Sequence, residues 1–353
     1  MRFGIFSVAD QYPIAVPRST ARLYEELLEQ AEAADALGFD SFWVAEHHVH
    51  RSAGIPSPAL WLAAAAQRTR RIRLGVAVSV LPFHNPLLVA EEYAMVDVLS
   101  GGRLNVGVGS GYLPYELRAF GVTPETKRKR FDEALDIVLQ AWTGERFSYE
   151  GDHNHLDNVA LGIRPVQQPH PPLWIAVFQQ EAAVHVARRG FSIMMIPWVM
   201  TENVADLQLP IAAFRESFAG AGFNLRNATV PFGLHTYVSD SFGRATLEAR
   251  DAMTRYVKTF RPHNQQSYEF LTEKNLIAFG GPEDVIRTAR LYENLGFTHF
   301  LAITNFGGLE HAKVLRSMEL MARHVLPAFS GPAAEDEHAY SGTPSSTYTP
   351  ADV

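Results

Sequence analysis

The sequence predicts an α/β fold in which parallel strands alternate with helices, and three observations support this class. Eight short apolar segments recur along the 353 residues, separated by amphipathic stretches of helical period. The segments are nearly continuous hydrophobic runs, such as LGVAV at residues 74–78, which is typical of parallel strands buried on both faces. Glycine follows the helical stretches, as Gly38 does. Eight such units predict an eight-stranded (β/α)8 barrel of the TIM type, although a doubly wound open sheet fits the alternation almost as well.

The elements are predicted in chain order from these patterns. Strands are expected at residues 2–8, 41–45, 72–81, 104–109, 173–177, 192–196, 230–237 and 299–304. The first helix is expected at residues 23–37, with Ser19 or Thr20 as its N-cap and Gly38 as its stop. Another helix is expected at residues 87–99 and closes at Gly101 and Gly102.

Two long connections interrupt the alternation. Residues 144–172 lie between the fourth and fifth predicted strands, and residues 258–275 lie between the seventh and eighth. Connections of this length are usually lids, insertions or interface elements, and we take residues 258–275 as a candidate lid. After Phe329 the composition shifts to Ser, Thr, Pro, Gly and acids without hydrophobic periodicity. We therefore expect a domain at residues 1–329 and a disordered tail at residues 330–353.

Composition excludes several classes of function. Lys and Arg number 31 against 38 Asp and Glu, for a net charge of −7, and no long basic run is present, so a nucleic-acid partner is not expected. No apolar run reaches the roughly 18 residues of a spanning helix, and the N-terminus begins a strand, so we expect a cytoplasmic protein without a membrane partner. The absence of cysteine excludes disulfides, thiolate nucleophiles and iron–sulfur clusters.

An acid and two imidazoles follow the second predicted strand, in the order Glu46, His47 and His48. An α/β barrel presents reactive side chains at the C-terminal end of its strands, so this position favours a catalytic histidine beside a bound cofactor. A hydrogen-bonded core pair of histidines explains the same triplet equally well. A metal site is weaker, because neighbouring residues of a strand point to opposite faces, and none is predicted.

A glycine-rich segment, GVGSGY at residues 107–112, directly follows the fourth predicted strand. Its glycines allow a ligand to approach the backbone closely, and Ser110 offers a hydroxyl and an N–H group. The segment is not the dinucleotide fingerprint GxGxxG, because Tyr112 stands where the third glycine is required. A tight turn would explain the segment as well. Trp198 offers an aromatic surface after the sixth strand, although core packing is the more frequent role.

Together these segments resemble the bacterial luciferase-like flavin monooxygenase family over residues 1–329. The matching segments are MRFG at residues 1–4, GFDSFWVAEHH at 38–48, RIRLGVAVSVLPFHNP at 71–86, GGRLNVGVGSGYLPYELRAFG at 101–121 and GGPEDVIRTARLYENLGFTHF at 280–300. Taken together, the order and spacing of these segments are specific to the family. The resemblance implies a (β/α)8 barrel that binds flavin at the C-terminal mouth and forms a homodimer.

The resemblance also implies roles for individual residues. His47 matches the catalytic histidine of the family, and Ala77-Val78 matches a position that often has a cis peptide bond against the flavin ring. The remaining cofactor contacts that it implies are Gly109, Ser110, Gly111, Tyr112, Gln179, Gln180 and Trp198. Luciferase has an arginine at the position of Ser110, an acid–serine pair at Phe178-Gln179 and a cysteine at Gly109. The flavin phosphate contacts must therefore differ from those of luciferase.

The chemistry implied by the resemblance is that of an FMN-dependent monooxygenase. Reduced FMN from a separate flavin reductase would react with O2 to give a flavin 4a-hydroperoxide, and His47 would act on it as a general acid/base. The substrate would be a small apolar organic compound. The alternatives are a deazaflavin-dependent hydride-transfer oxidoreductase, a non-catalytic luciferase-like subunit and a metal-dependent hydrolase. The pair His47-His48 disfavours the deazaflavin branch, whose motif at this strand commonly differs.

Overall fold

The computed structural model describes residues 1–12, 14–52, 54–261 and 266–329. The predicted tail at residues 330–353 lies outside the described residues, as do residues 262–265 of the candidate lid. No helix within the described ranges combines the length and the apolar character needed to cross a membrane.

All eight predicted strands form, and three further short strands accompany them. The strands are β1 (Arg2–Ser7), β2 (Ser41–Val44), β3 (Arg73–Val80), β4 (Leu104–Gly109), β5 (Phe147–Glu150), β6 (His155–Val159), β7 (Leu173–Ala176), β8 (Ser192–Met194), β9 (Pro231–Val238), β10 (Ala278–Gly280) and β11 (His299–Asn305).

Twelve α-helices connect these strands within the described residues. They are α1 (Thr20–Leu37), α2 (Pro58–Arg68), α3 (Pro86–Ser100), α4 (Pro114–Ala119), α5 (Lys127–Thr143), α6 (Gln180–Arg188), α7 (Pro197–Met200), α8 (Gln208–Gly220), α9 (Phe242–Phe260), α10 (Tyr268–Glu273), α11 (Pro282–Asn294) and α12 (His311–Leu320). The predicted helix ends hold at α1, where the Ser19 side chain accepts a hydrogen bond from the Arg22 N–H and Gly38 adopts a φ of 83°.

The main sheet is parallel and curls strongly. Its order is β10-β9-β11-β1-β2-β3-β4-β7-β8. From β1 to β8 the strands follow chain order without the reversal of a doubly wound sheet, so that alternative from the sequence is wrong. Met195, just after β8, pairs with Phe232 of β9, and its N–H donates to the Pro231 carbonyl at 3.0 Å. The predicted alternation of parallel strands and helices is confirmed, and the C-terminal strand ends gather at one face.

The first long connection contains a small hairpin rather than an irregular loop. Strands β5 and β6 pair antiparallel between α5 and β7. The carboxylate of Glu133 accepts hydrogen bonds from the backbone N–H groups of Asp152 and His153 and from the Asn154 amide, so it holds the hairpin turn. Sequence analysis missed these strands because one face is solvent-exposed and polar. The second connection contains α10 and leads into β10, which was also missed.

Candidate active site

The C-terminal face of the curled sheet contains strand residues that remain accessible. Ala77 and Val78 in the middle of β3, and Ala176 at the end of β7, are partly exposed although strands flank them on both sides. Ser110, directly after β4, is also partly exposed. Side chains at such positions are normally covered by a neighbouring layer. Their accessibility therefore marks a concave surface bordered by β3, β4 and β7.

Glu46 lies at the centre of a hydrogen-bonded cluster beside this surface. Its Oε1 atom accepts from Nε2 of His48 at 2.9 Å and from Nε2 of His84 at 2.8 Å, and Oε2 accepts from the Val80 N–H at 3.2 Å. The carboxylate is buried. Phe83 and Phe120 pack around the His48 ring, with centroids at 5.9 and 4.7 Å. Glu46 thus joins the ends of β2 and β3 and fixes two imidazoles.

Electrostatics favour the charged forms of Glu46 and His84 in this cluster. Burial alone would raise the pKa of Glu46, but the hydrogen bonds from His48 and His84 outweigh burial and lower it. Burial alone would lower the pKa of His84, whereas the Glu46 carboxylate raises it. The three ligand atoms lie within 4.8 Å of one another, a separation that a metal ion could accept. Each imidazole Nε2 is already directed at the carboxylate, which makes the cluster a proton-holding network.

His47 points away from this cluster and pairs with a different acid. Its Nδ1 atom lies 3.1 Å from Oε1 of Glu116, a buried residue of α4. The same oxygen accepts a hydrogen bond from the His48 N–H at 2.9 Å, and the His47 N–H donates to the Ile55 carbonyl at 3.2 Å. The His47 side chain is 16% exposed. With Nδ1 held by Glu116, Nε2 is the nitrogen left to a ligand at the mouth.

The predicted contacts on β3 and β4 lie directly against each other. The Ala77–Val78 peptide bond is cis, as the resemblance implied. A Cβ atom added at Gly109 would lie 2.7 Å from Cγ2 of Val78, so only glycine fits there without displacing that side chain. Gly111 adopts a φ of 78°, a conformation that favours glycine. The backbone of this turn therefore approaches the accessible surface closely.

The residues predicted after β4 and β7 lie at the same face. The rings of Tyr112 and Phe178 are 5.4 Å apart, and both side chains are exposed. Gln179 is the N-cap residue of α6 and gives no side-chain cap, so the first N–H groups of that helix remain open. Lys127 begins α5 and places Nζ 3.3 Å from the Gly111 carbonyl, and no carboxylate of the described residues forms an ion pair with it. Open helix N–H groups and a lysine are a suitable donor set for a phosphate.

Trp198 lies in another sector of the mouth, on the short helix α7 that follows β8. Its ring is buried and contacts His235 of β9 at 5.3 Å and Tyr256 of α9 at 5.7 Å. The Arg261 guanidinium lies 5.4 Å from the centre of the Trp198 ring. The structure thus places the predicted residues in two groups, with Trp198 apart from those on β3, β4 and β7.

Sequence reasoning missed several residues of the site. Glu116 and His84 were part of segments that carry the family resemblance but received no role. Tyr256 and His235 were not identified. A histidine inside the apolar run PFGLHTYV was a usable signal for His235, because an unpaired imidazole is costly in a buried strand.

Comparison with known proteins matches residues 1–280 to the family described as luciferase-like monooxygenase. The oxygenase component of a flavin-dependent trigonelline monooxygenase from Acinetobacter baylyi is 26% identical, over 96% of this chain and 98% of that protein. Among solved structures, monooxygenase RslO1 from Streptomyces bottropensis gives a TM-score of 0.86 at 29% identity, covering 94% of this chain and 100% of that chain.

Relatives with a different cofactor are also present. An F420-dependent glucose-6-phosphate dehydrogenase from Intrasporangium calvum is 26% identical, over 87% of this chain and 95% of that protein. The comparisons therefore agree on the family while its members differ in cofactor.

Proposed function

Since this chain belongs to the luciferase-like monooxygenase family, we propose that it is an FMN-dependent monooxygenase acting on a small apolar organic substrate. Reduced FMN would come from a separate flavin reductase, and O2 would be the second substrate. We assign the curled sheet to a (β/α)8 barrel, with the β5–β6 hairpin and the segment around α10 as insertions. Bound reduced FMN supplies the oxygen-activating chemistry, and the protein supplies orientation and proton control.

The observation that carries the proposal is the position of the His47–Glu116 pair at the accessible mouth. Glu116 holds Nδ1 of His47 at 3.1 Å and is itself fixed by the His48 N–H. An acid that orients an imidazole fixes which nitrogen accepts or donates a proton toward the substrate side. His47 Nε2 would hold or release that proton, while Glu116 positions the ring. Glu46, with both oxygens occupied, stabilises the loop that carries His47.

The residues at the mouth fit a flavin mononucleotide. The partly exposed surface of Ala77, Val78 and Ala176 is apolar, which suits an aromatic ring system. Ser110, the open N–H groups at the start of α6 and the unpaired Lys127 would hold the phosphate. Gln179 and Gln180 are exposed beside these groups. These donors would take over the phosphate contact of the arginine that luciferase has at the position of Ser110.

An apolar outer face supports a homodimer. Leu60 of α2 and Leu88, Met95 and Leu99 of α3 are between 47% and 75% exposed. Large exposed apolar side chains on the neighbouring helices α2 and α3 are the pattern expected of an association surface. A second copy of this chain would cover it.

A deazaflavin-dependent oxidoreductase is the second candidate, and the F420-dependent relative favours it. The His47-His48 pair favours FMN instead, as argued from the sequence. Fluorescence titrations of the protein with FMN and with F420 separate the two. Binding of F420 with no binding of FMN would refute the proposal.

Rapid mixing of the anaerobic protein and reduced FMN with O2 tests the chemistry. We expect an absorbance transient that delays the appearance of oxidised flavin, and faster decay of that transient in His47→Ala. The matched control is His155→Ala, an exposed histidine of the hairpin, which should behave as the wild type. Oxidation of the flavin at its free-solution rate would refute an oxygenase.

A further inference from the structure

The sector around β9 and β11 differs from the His47 sector in how its polar groups are satisfied. In the His47 sector, the carboxylate oxygens of Glu46 and Glu116 named above each have at least one hydrogen-bond partner. His235 of β9 is fully buried, and neither ring nitrogen has a hydrogen-bond partner within the part of the chain that the structure describes. A buried polar group without a partner is costly to stability, so such a group needs an explanation.

The position of His235 on its strand directs the ring toward the inside of the curled sheet. Side chains two residues apart on a strand share a face. A Cβ atom added at Gly233 would lie 2.7 Å from Ile196 Cδ1 and 3.2 Å from Cδ1 of Phe6, both on the inner face. His235 therefore also faces inward, nearer the C-terminal mouth by two residues.

Three aromatic rings surround the imidazole. Ring centroids lie at 4.3 Å for Tyr256, 5.3 Å for Trp198 and 5.4 Å for Phe306, all nearly edge-on. We name these three residues with His235 the aromatic cage. Ile196, two residues before Trp198, is partly exposed, so the cage borders the open part of the mouth.

The imidazole is uncharged at neutral pH. Burial lowers the pKa of His235 to about 3. A neutral imidazole offers one N–H donor and one nitrogen acceptor. It can therefore pair with a neutral oxygen but gives no ionic attraction to an acid.

We propose that His235 is the polar recognition group for the organic substrate, and that the substrate is a neutral cyclic compound with an oxygen that hydrogen-bonds this imidazole within the aromatic cage. This inference rests on the proposed function and specifies the substrate class. Aromatic edges favour a planar or ring-shaped apolar body. The carbonyl or hydroxyl oxygen would satisfy one of the two ring nitrogens that the protein leaves without a partner among the described residues.

A pair of probes with one skeleton tests the proposal. 1-Tetralone and tetralin differ by a single carbonyl oxygen, and their binding to the full-length protein can be followed by tryptophan fluorescence, with and without FMN. We expect wild type to bind 1-tetralone at least about tenfold more tightly than tetralin, because the carbonyl satisfies His235. His235→Phe should reduce this ratio to near one, while His235→Gln, which keeps a donor and an acceptor, should retain part of it.

The control variant is His299→Phe, which replaces a buried histidine at the opposite end of β11. This variant should keep the wild-type ratio of 1-tetralone to tetralin affinity. Thermal unfolding verifies that each variant is folded. A wild-type ratio near one, or an unchanged ratio in His235→Phe, overturns the inference. Failure of FMN binding overturns the proposed function separately, and the probe ratio in flavin-free protein then still decides the role of His235.

Discussion

Nδ1 of His47 lies 3.1 Å from Oε1 of Glu116, across 69 residues of sequence. The second contact of that oxygen, with the His48 N–H at 2.9 Å, ties it to the same loop. The acid thus holds both the ring and the backbone of the histidine pair. His47 is therefore oriented by a helix that follows β4 rather than by its own strand.

Glu116→Gln should shorten the lifetime of the oxygen-dependent flavin transient, because the ring of His47 loses its charged partner. We expect an effect of roughly tenfold to a hundredfold, at or below the lower end of the 10²–10⁴ range typical of removing a general acid/base entirely, because the imidazole itself remains. FMN affinity should change little. Rapid-mixing absorbance measures the lifetime. Glu133→Gln, which removes the carboxylate that holds the β5–β6 turn, is the control, and equal losses in both variants would contradict the role of Glu116.

Gly109→Ala should weaken FMN binding. The new Cβ would lie 2.7 Å from Cγ2 of Val78, and a β-branched side chain has few alternative rotamers, so Val78 must move into the accessible surface. Fluorescence titration measures the affinity. The double variant Gly109→Ala/Val78→Ala removes the clash and should recover much of the binding. No recovery would argue that the two residues do not share a binding surface.

The pH dependence of stability should have a contribution from Asp10. Burial raises the pKa of this carboxyl from 3.8 to about 6. The folded state therefore holds this proton more tightly than the unfolded state, so the contribution of Asp10 to stability is fully present below about pH 4 and is lost as the pH rises through about 6. A shift of about 2 units corresponds to roughly 3 kcal/mol in the free energy of unfolding.

Asp10→Asn should remove this pH-dependent loss, because the amide stays neutral at every pH. Urea unfolding at pH 4, 5, 6 and 7 measures it, with the exposed Asp157→Asn as the control. If the free energy of unfolding changed with pH equally in wild type and Asp10→Asn, the ionisation of Asp10 would have no effect on stability, which would contradict this prediction.

Charged residues on the apolar outer face should dissociate the dimer. Leu60→Glu/Met95→Glu places two charges where a second copy would pack, and buried unpaired charges are strongly unfavourable. Sedimentation velocity should then report a monomer. Leu247→Glu, on the 84% exposed Leu247 of α9, should leave the assembly unchanged. A wild-type monomer would refute the homodimer.

The strands could be predicted because each is a nearly continuous apolar run, a pattern that local sequence records directly. The hairpin β5–β6 could not, because its inner face packs on α5 and its outer face is polar. The Glu46-His47-His48 triplet was also identifiable, since three functional groups follow one strand. Their partners were not, because Glu116 and His84 approach only after β3 and β4 align beside β2. His235 was missed because its ring neighbours come from α7, α9 and the end of β11.

The His47 sector and the aromatic cage are built around different strands. His47, His84 and Glu116 follow β2, β3 and β4, whereas His235 lies on β9 and Trp198 and Phe306 follow β8 and β11. Substitutions in one arc of the sheet therefore need not disturb side-chain contacts in the other. Under the proposed function, substrate preference can therefore change by substitution on one arc while the His47–Glu116 pair on the other arc is kept.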